Sequence, residues 1–320
     1  MINEPTLESI QQAAERIKPI VRPTLIERSR WLSTPNREVF LKLECLQPTG
    51  SFKLRGAAAK LTALTEDQKR RGILTVSAGN HGLAVAHCAE KLSLDATIVV
   101  PRSASRTKVE AIRRYPVKLV EMGANYDEAE RAARQMERES GLTFVSPYND
   151  AEVIAGQGTM MLEILEERGD LDAVVVPVGG GGLISGIAIA AKSINPAIRV
   201  YGVEAEAARS MTASLEAGRI IEIIEDPTIA DGLAGNIEPG SITFPIVQEL
   251  VDDMILVSED AIKSAIAKVA REDHLMIEGA AAVSIAALED SRLKCGKIAA
   301  IISGRNISLD LFAKVIGARS

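Results

Sequence analysis

The sequence predicts an α/β fold in which mostly parallel sheets are covered by helices. Two observations lead to this fold class: short β-branched runs alternate with helical patterns, and no internal repeat interrupts the alternation. The strand candidates share an apolar composition and lie at residues 39–43, 73–76, 97–100, 118–121, 143–145, 174–178, 200–203 and 298–302. The helical candidates alternate with them and include residues 126–139, 157–167, 261–272 and 279–288.

The spacing of the strand candidates predicts two domains. The four candidates between residues 73 and 145 follow one another closely and suit one small sheet, whereas the early and late strands would form a second sheet. We therefore predict a small domain of residues 53–147 and a large domain of residues 1–52 and 148–320. Ligands of such folds bind beyond the carboxyl ends of the strands, so the segments that follow strands are the first candidates for a site.

Composition and charge argue against several classes of protein. Of the 320 residues, 47% are hydrophobic and 25% are charged, as in ordinary globular proteins. A net charge of −6 argues against nucleic acid or an anionic membrane as a partner. Cys45, Cys88 and Cys295 are widely separated, as expected of reduced thiols rather than of a disulfide framework. Because the sequence shows no signal peptide and no apolar run of membrane-spanning length, we expect a cytoplasmic protein.

A run of four glycines carries the strongest chemical signal. A buried strand leads into the glycines, and an Ala/Ile-rich helix follows them. Without Cβ atoms, consecutive backbone N–H groups can converge on an anion at the start of a helix. The run consists of Gly179, Gly180, Gly181 and Gly182. A plain strand-to-helix turn needs only one or two glycines, so this run predicts a phosphate site.

The surrounding residues do not match the common nucleotide motifs. A P-loop requires Gly-Lys-Ser/Thr after its glycines, and Leu183 and Ile184 occupy that region instead. Glu204 ends a strand about twenty residues later, like the ribose-binding acid of dinucleotide folds, but the required glycine spacing is missing. A nicotinamide-dependent dehydrogenase is therefore a weak alternative.

A second turn places a lysine at the start of a helix. The segment of residues 41–57 leaves a strand, turns, and enters an Ala-rich helix, with Thr49 and Ser51 as possible caps. Lys53 would lie in the first helical turn, where the helix dipole disfavours a cation and helps to lower the lysine pKa. A lowered pKa is what a Schiff-base lysine requires, although a lysine at a helix start is more often an ordinary surface residue.

A third turn, at residues 75–82, also leaves a strand and opens a helix. Its small residues and free N–H groups suit a carboxylate, and Asn80 adds a directional amide. His81 in the same turn is equally well explained as a structural histidine.

Together these segments resemble the fold-type II pyridoxal-phosphate enzymes, and within them the threonine/serine dehydratase and serine racemase branch. The motifs in this order and spacing are RPTL at residues 22–25, KLE at 42–44, TGSFKLRG at 49–56, SAGNHG at 77–82, VIAGQGT at 153–159, GGGG at 179–182, GVE at 202–204, ADG at 230–232 and SGRN at 303–306. The resemblance implies a two-domain fold like that of the tryptophan synthase beta subunit, each domain a mostly parallel sheet flanked by helices.

The resemblance also assigns roles by position. Lys53 would bind the cofactor covalently and remove the Cα proton, and Phe52 would pack near the ring. Asn80 would bind the phenolic oxygen, and Ser303 would face the pyridine nitrogen. The phosphate would be held by Gly179, Gly180, Gly181, Gly182 and Leu183. The substrate carboxylate would be held by Ser77, Ala78, Gly79, Asn80 and His81.

The activity implied is an ammonia-lyase that converts L-threonine or L-serine to a 2-oxo acid and ammonia. Racemases of this branch carry a serine base where this sequence has Ala78, so racemisation is the weaker reading. Arg305 stands where many relatives have a small residue, and it is either a substrate-binding group or a surface arginine. Because of Arg305, an alternative activity remains open, namely a dehydratase of the hydroxyectoine-utilisation or 3-hydroxyaspartate type. A cofactor-binding protein without turnover is a further alternative.

Two features of relatives are less certain to apply here. Metal-dependent relatives bind a divalent cation with the acid of GVE, here Glu204, and a later acid, here Ser210. A cation site at Glu204 is therefore in doubt. Relatives are commonly dimers, so a homodimer or a higher homo-oligomer is expected.

Overall fold

The computed structural model describes residues 4–293 and 296–317. Its strands form one six-stranded and one four-stranded sheet, and both are flanked by helices. The predicted α/β class with two mostly parallel sheets is therefore confirmed. The strands are β1 (Ile26–Thr34), β2 (Arg37–Lys42), β3 (Ile73–Val76), β4 (Ala96–Val100), β5 (Lys118–Glu121), β6 (Thr143–Phe144), β7 (Ala173–Pro177), β8 (Arg199–Ala205), β9 (Asp253–Val257) and β10 (Lys297–Ile301).

The larger sheet has the strand order β1-β2-β10-β7-β8-β9. Strands β1 and β2 are antiparallel, and every other neighbouring pair in this sheet is parallel. The smaller sheet has the order β5-β4-β3-β6 and is parallel throughout. Its strands all fall within residues 73–144, inside the predicted small domain, although the domain boundaries themselves stay a prediction.

Helices cover both sheets and connect their parallel strands. They are α1 (Leu7–Ile17), α2 (Lys53–Thr62), α3 (Glu66–Arg71), α4 (Asn80–Leu92), α5 (Arg106–Arg113), α6 (Tyr126–Ser140), α7 (Ala151–Glu167), α8 (Gly182–Ile194), α9 (Ser210–Ala217), α10 (Thr243–Leu250), α11 (Glu259–Glu272), α12 (Gly279–Ala286) and α13 (Leu309–Gly317). Among the described residues, no helix is both long and apolar enough to cross a membrane.

The predicted strands are all present, each with ends within two residues of the prediction. Strands β1 and β9 were missed, and both lie at the edges of the larger sheet. In β1, exposed arginines alternate with buried residues, so the strand lacks the continuous apolar run of a central parallel strand. Helix α7 begins at Ala151 rather than at the predicted residue 157, because the Asp150 side chain caps it by accepting from the Glu152 and Val153 amides.

The main core lies where α7 and α8 pack under the larger sheet. Helix α8 is buried along almost its whole length, which explains its Ala/Ile-rich sequence. The two helices touch at Gly158 and Gly186, where a Cβ on Gly186 would lie 2.3 Å from the Ile154 carbonyl oxygen. This close packing fixes α8, and therefore the glycine run at its start, against the sheet.

Candidate active site

One cavity of about 900 Å³ gathers most of the site residues that the sequence predicts. It opens at the carboxyl ends of strands from both sheets, as expected for parallel α/β folds. The predicted residues that line it are Phe52, Lys53, Ser77, Ala78, Gly79, Asn80, His81, Gly179, Gly180, Gly181, Gly182, Leu183 and Ser303.

Lys53 is the first residue of α2 and points into this cavity. Its Nζ donates a hydrogen bond to the carbonyl oxygen of Pro147 at 2.8 Å and lies 5.2 Å from the centre of the Phe52 ring. Burial lowers the pKa of the Lys53 amine to about 8, while the nearby carboxylate of Glu278 opposes that shift. The lowered lysine pKa agrees with the sequence expectation, but its main cause is burial rather than the helix dipole.

Backbone pairing places Lys53 beside Ser303. The Phe52 amide donates to the Ser303 carbonyl oxygen at 2.9 Å, and Ser51 and Gly304 form an isolated antiparallel β-bridge. The prediction that Thr49 or Ser51 caps α2 is wrong, because Phe52 occupies the cap position and no side chain caps the helix. The start of α2 is instead fixed by this pairing with the end of β10.

The four glycines form a tight loop at the start of α8. Gly181 has a φ of +86°, a conformation that favours glycine. A Cβ on Gly180 would lie 2.6 Å from the Tyr148 ring, and one on Gly179 would lie 2.9 Å from the Leu233 carbonyl oxygen. Thr243 Oγ1 donates to the Gly180 carbonyl oxygen at 2.7 Å and so satisfies that acceptor.

This loop and the lysine fit pyridoxal phosphate. The first N–H groups of α8 have no acceptor within the helix, and together with the helix dipole they suit the cofactor's phosphate. The amine of Lys53 lies in the same cavity and is the group that would bind the cofactor's aldehyde. The residues present therefore match both ends of the cofactor that the sequence resemblance implies.

The turn after β3 forms another wall of the cavity. Ser77 Oγ accepts from the Gly79 amide at 3.1 Å, and α4 begins at Asn80. A Cβ on Gly82 would lie 2.2 Å from the Ser77 carbonyl oxygen, so the turn requires glycine there. His81 Nε2 pairs with the Val145 carbonyl oxygen at 3.1 Å, and burial lowers the His81 pKa to about 3. His81 is thus a neutral, buried ring that holds this turn against β6.

Several residues with no role predicted from sequence also line the cavity, among them Glu278, Lys108 and Asp231. Glu278 precedes α12, and burial raises the pKa of its carboxyl to about 7. Lys108 and Asp231 form an ion pair at the cavity wall. Glu278 could have been suspected from sequence, because it is a single acid at the start of an otherwise apolar helix. Asp231 belongs to the ADG motif of residues 230–232, to which no role was assigned, and for Lys108 the sequence gives no comparable signal.

Two predicted site residues lie outside the cavity lining. Arg305 is exposed, and its amide donates to the Gly50 carbonyl oxygen at 2.9 Å. Of the two readings left open for Arg305, this exposed position outside the cavity lining favours a surface arginine. Glu204 is buried, and its carboxylate accepts from the Met211 and Thr212 amides at 2.9 and 2.8 Å and from Thr212 Oγ1 at 2.5 Å.

The described residues contain no group of three or more His, Cys, Asp or Glu side chains arranged to hold a metal ion. Ser210, the position of the later acid in metal-dependent relatives, donates its hydroxyl hydrogen to the Gly235 carbonyl oxygen. Cys45 and Cys88 are free and buried, whereas Cys295 lies outside the described residues.

Comparisons with known proteins agree with this geometry. The sequence model of a family described as pyridoxal-phosphate dependent enzyme matches residues 17–304. L-threonine ammonia-lyase from Thermotoga maritima is 44% identical over 313 residues, which cover 97% of this chain and 78% of that protein. The catabolic L-threonine dehydratase of Escherichia coli is 41% identical over 97% of this chain and 96% of its own length. Maize serine racemase superposes with a TM-score of 0.92 at 36% identity, covering 98% of this chain and 97% of that one.

Proposed function

This chain belongs to the family of pyridoxal-phosphate-dependent enzymes, and we propose that it is an ammonia-lyase acting on L-threonine and L-serine. The single observation that supports the proposal most strongly is the shared cavity of Lys53 and the glycine run at the start of α8. Those two features supply the covalent and the phosphate attachment of one cofactor.

The protein's residues would hold and orient the reactants. Gly179 to Gly182, with Leu183, would bind the phosphate, and Ser303 would face the pyridine nitrogen. The turn of residues 77–81 would bind the substrate carboxylate through the free N–H groups at the start of α4. When bound, the cofactor supplies an electron sink for the electrons left behind when the Cα–H bond breaks.

Lys53 would act as the base at Cα. Because its pKa is about 8, a useful fraction of the amine is neutral near neutral pH and can accept a proton. Loss of the β-hydroxyl as water then gives an enamine, and hydrolysis of the corresponding imine gives the 2-oxo acid and ammonia. Water is lost in the first stage and consumed in the second, so the net products are one 2-oxo acid and one ammonia.

Ala78 supports the lyase over a racemase. It lines the cavity at the position where racemases of this branch carry a serine base, and its methyl group cannot donate or accept a proton. Arg305 was the reason for considering 3-hydroxyaspartate as a substrate, and it is exposed and does not line the cavity. Both observations favour threonine and serine as substrates.

We also propose a cytoplasmic homodimer or higher homo-oligomer. The free, buried Cys45 and Cys88 support a reducing compartment. Large apolar side chains that are exposed, such as Ile224 and Leu309, support contact with another copy of the chain. Light scattering on the purified protein measures its mass directly, and a monomeric mass would contradict the proposed assembly.

The test is to purify the protein with its cofactor, record the visible spectrum, and assay 2-oxo acid release. The substrates are L-threonine, L-serine, D-serine and threo-3-hydroxyaspartate, with chiral analysis of the serine that remains. The wild type should be yellow and should convert L-threonine or L-serine, with little D-serine formed.

Lys53→Ala should lack the lyase activity and should release all of its cofactor on denaturation after borohydride treatment, which fixes the cofactor to the wild type. Lys268→Ala provides a matched control, since Lys268 lies on α11 and pairs with Glu289 outside the cavity. A yellow wild type that releases no 2-oxo acid from any of the four compounds would overturn the proposed substrates. A Lys53→Ala variant that keeps the borohydride-fixed cofactor or the wild-type activity would overturn the role of the lysine.

A further inference from the structure

A closed ring of hydrogen bonds surrounds the side-chain amide of Asn80. Asn80 Nδ2 donates to Glu278 Oε1 at 2.7 Å, and Asn80 Oδ1 accepts from Asn306 Nδ2 at 2.6 Å. The Asn306 backbone amide donates to Glu278 Oε2 at 3.0 Å and closes the ring. Asn306 Nδ2 also donates to the Thr49 carbonyl oxygen at 2.9 Å.

The chemistry of the ring allows one orientation for the Asn80 amide. The Thr49 carbonyl can only accept, so the atom of Asn306 beside it must be the amide nitrogen. That nitrogen can only donate, so the Asn80 atom that it contacts must be the oxygen. The other end of Asn80 is therefore the nitrogen, which donates to the carboxyl oxygen Oε1 of Glu278.

The ring connects parts of the chain that approach the cavity from opposite sides. Asn80 begins α4 after a strand of the smaller sheet, whereas Glu278 and Asn306 flank the end of the larger sheet at α12 and after β10. All three side chains line the cavity that contains Lys53. One N–H of the Asn80 amide is used by Glu278, which leaves the second N–H for a group bound in that cavity.

We propose that Asn306 is a positioning residue that, together with Glu278, holds the amide nitrogen of Asn80 towards the phenolic oxygen of the bound cofactor. This inference rests on the proposed function, because it takes the cofactor to be pyridoxal phosphate with Asn80 at its phenolic oxygen. A hydrogen bond donated to that oxygen stabilises its ionised form. Asn306 therefore sets how much of the bound cofactor carries an ionised phenolic oxygen.

The readout is the absorption spectrum of the resting holoenzyme at one fixed pH. The form with the ionised phenolic oxygen absorbs in the visible and is yellow, whereas the form with the neutral oxygen absorbs in the near ultraviolet. The experiment compares wild type, Asn80→Ala, Asn306→Ala and the double variant, each saturated with cofactor. If the hydrogen-bond ring only stabilised the fold, the variants that break it would have lower thermal stability but an unchanged ratio of the two bands.

We expect Asn80→Ala to lower the ratio of the visible to the near-ultraviolet band by on the order of tenfold, the effect of losing a hydrogen bond to a charged oxygen. Asn306→Ala should lower the ratio in the same direction by a smaller factor, because Glu278 still holds the Asn80 nitrogen. The double variant should match Asn80→Ala, since Asn306 acts through Asn80. Asn195→Ala, at the far end of α8, is the matched control and should keep the wild-type ratio.

Two results would overturn the proposal. The first is an Asn306→Ala variant that binds the cofactor, melts cooperatively and still shows the wild-type band ratio. The other is a further fall in the ratio when Asn306→Ala is added to Asn80→Ala. Failure of the proposed function is recognised separately, because a wild type without any cofactor band contradicts the cofactor itself. A yellow wild type with no lyase activity leaves this spectral test fully valid.

Discussion

Arg55 and Glu44 form a two-point ion pair in the protein interior. Arg55 Nε and Nη2 donate to the two oxygens of Glu44 at 2.8 and 2.7 Å, and both side chains are buried. Glu163 on α7 accepts from the same guanidinium at 2.7 Å, and the ammonium of the buried Lys42 binds Glu163 at 2.6 Å. Because Arg55 is two residues after Lys53 on α2, this network anchors the helix that carries the reactive amine.

Arg55→Met should strongly destabilise the fold. Removing one partner of a buried ion pair leaves uncompensated charge and costs about 3–5 kcal/mol. Urea unfolding at fixed protein concentration measures the loss. The matched control is Arg70→Met, because Arg70 is exposed and pairs with Asp67 at 3.3 Å on the surface of α3, where such pairs contribute about 0–1 kcal/mol. Equal losses in the two variants would contradict the buried role of Arg55.

The pH dependence of cofactor attachment should reflect the lowered pKa of Lys53. Only the neutral amine attacks an aldehyde, and the Lys53 pKa is about 8 instead of 10.5. The rate at which apoprotein turns yellow with pyridoxal phosphate should therefore rise with pH and level off above about 8. Glu278→Gln should move the midpoint to lower pH, since the Glu278 carboxylate raises the Lys53 pKa. A rate that is still rising steeply at pH 10 would rule out a lowered lysine pKa.

Gly181→Ala should weaken cofactor binding. The added Cβ would lie 2.8 Å from Met211 Cε and 2.9 Å from Thr243 Cβ, at a φ of +86° that L-residues rarely adopt. Such strain costs about 1–3 kcal/mol, so the cofactor Kd should rise about tenfold when the loop shifts to relieve it. Gly218→Ala is a control with a positive φ of +66° and open space around the Cβ. That variant should be somewhat less stable but should keep the wild-type Kd in a fluorescence titration.

Chelation of divalent cations should leave activity and melting temperature unchanged. Both carboxylate oxygens of Glu204 accept hydrogen bonds from the first turn of α9, so a cation at this acid would have to displace those donors. The assay is lyase activity and Tm before and after EDTA, and again after excess Mg²⁺. Activity that falls with EDTA and returns with Mg²⁺ would show that Glu204 exchanges its helix contacts for a metal ion.

The parts of the fold that could be predicted are those determined by neighbouring residues in the sequence rather than by contacts between distant segments. Strand β7 is a continuous apolar run followed by four glycines, and both the buried strand and the turn follow from that pattern. Strand β1 was missed because it pairs with β2 alone at the edge of the sheet, and its exposed arginines interrupt the continuous apolar run of a central strand. Helix α7 was predicted too short because the residues after Asp150 are buried on several faces and show little helical periodicity.

The site divides in the same way. Lys53, Asn80, the glycine run and Ser303 lie in short motifs in the segments that follow strands, and the structure brings all of them to one cavity. Glu278 could be suspected as a lone acid at the start of an apolar helix, but its partners Asn80 and Asn306 are distant in sequence or position and appear only in the structure. Arg305 could not be assigned from sequence, because its motif borders the cavity: Ser303 and Asn306 line the cavity, whereas Arg305 between them is exposed.

The hydrogen bond between Lys53 Nζ and the Pro147 carbonyl joins the two connections by which the chain passes between its sheets. One connection runs from β2 to β3 through Lys53, and the other runs from β6 to β7 through Pro147. Any displacement of the smaller sheet relative to the larger one therefore has to bend the chain at these two connections, and the Lys53–Pro147 hydrogen bond holds the two connections together at that point.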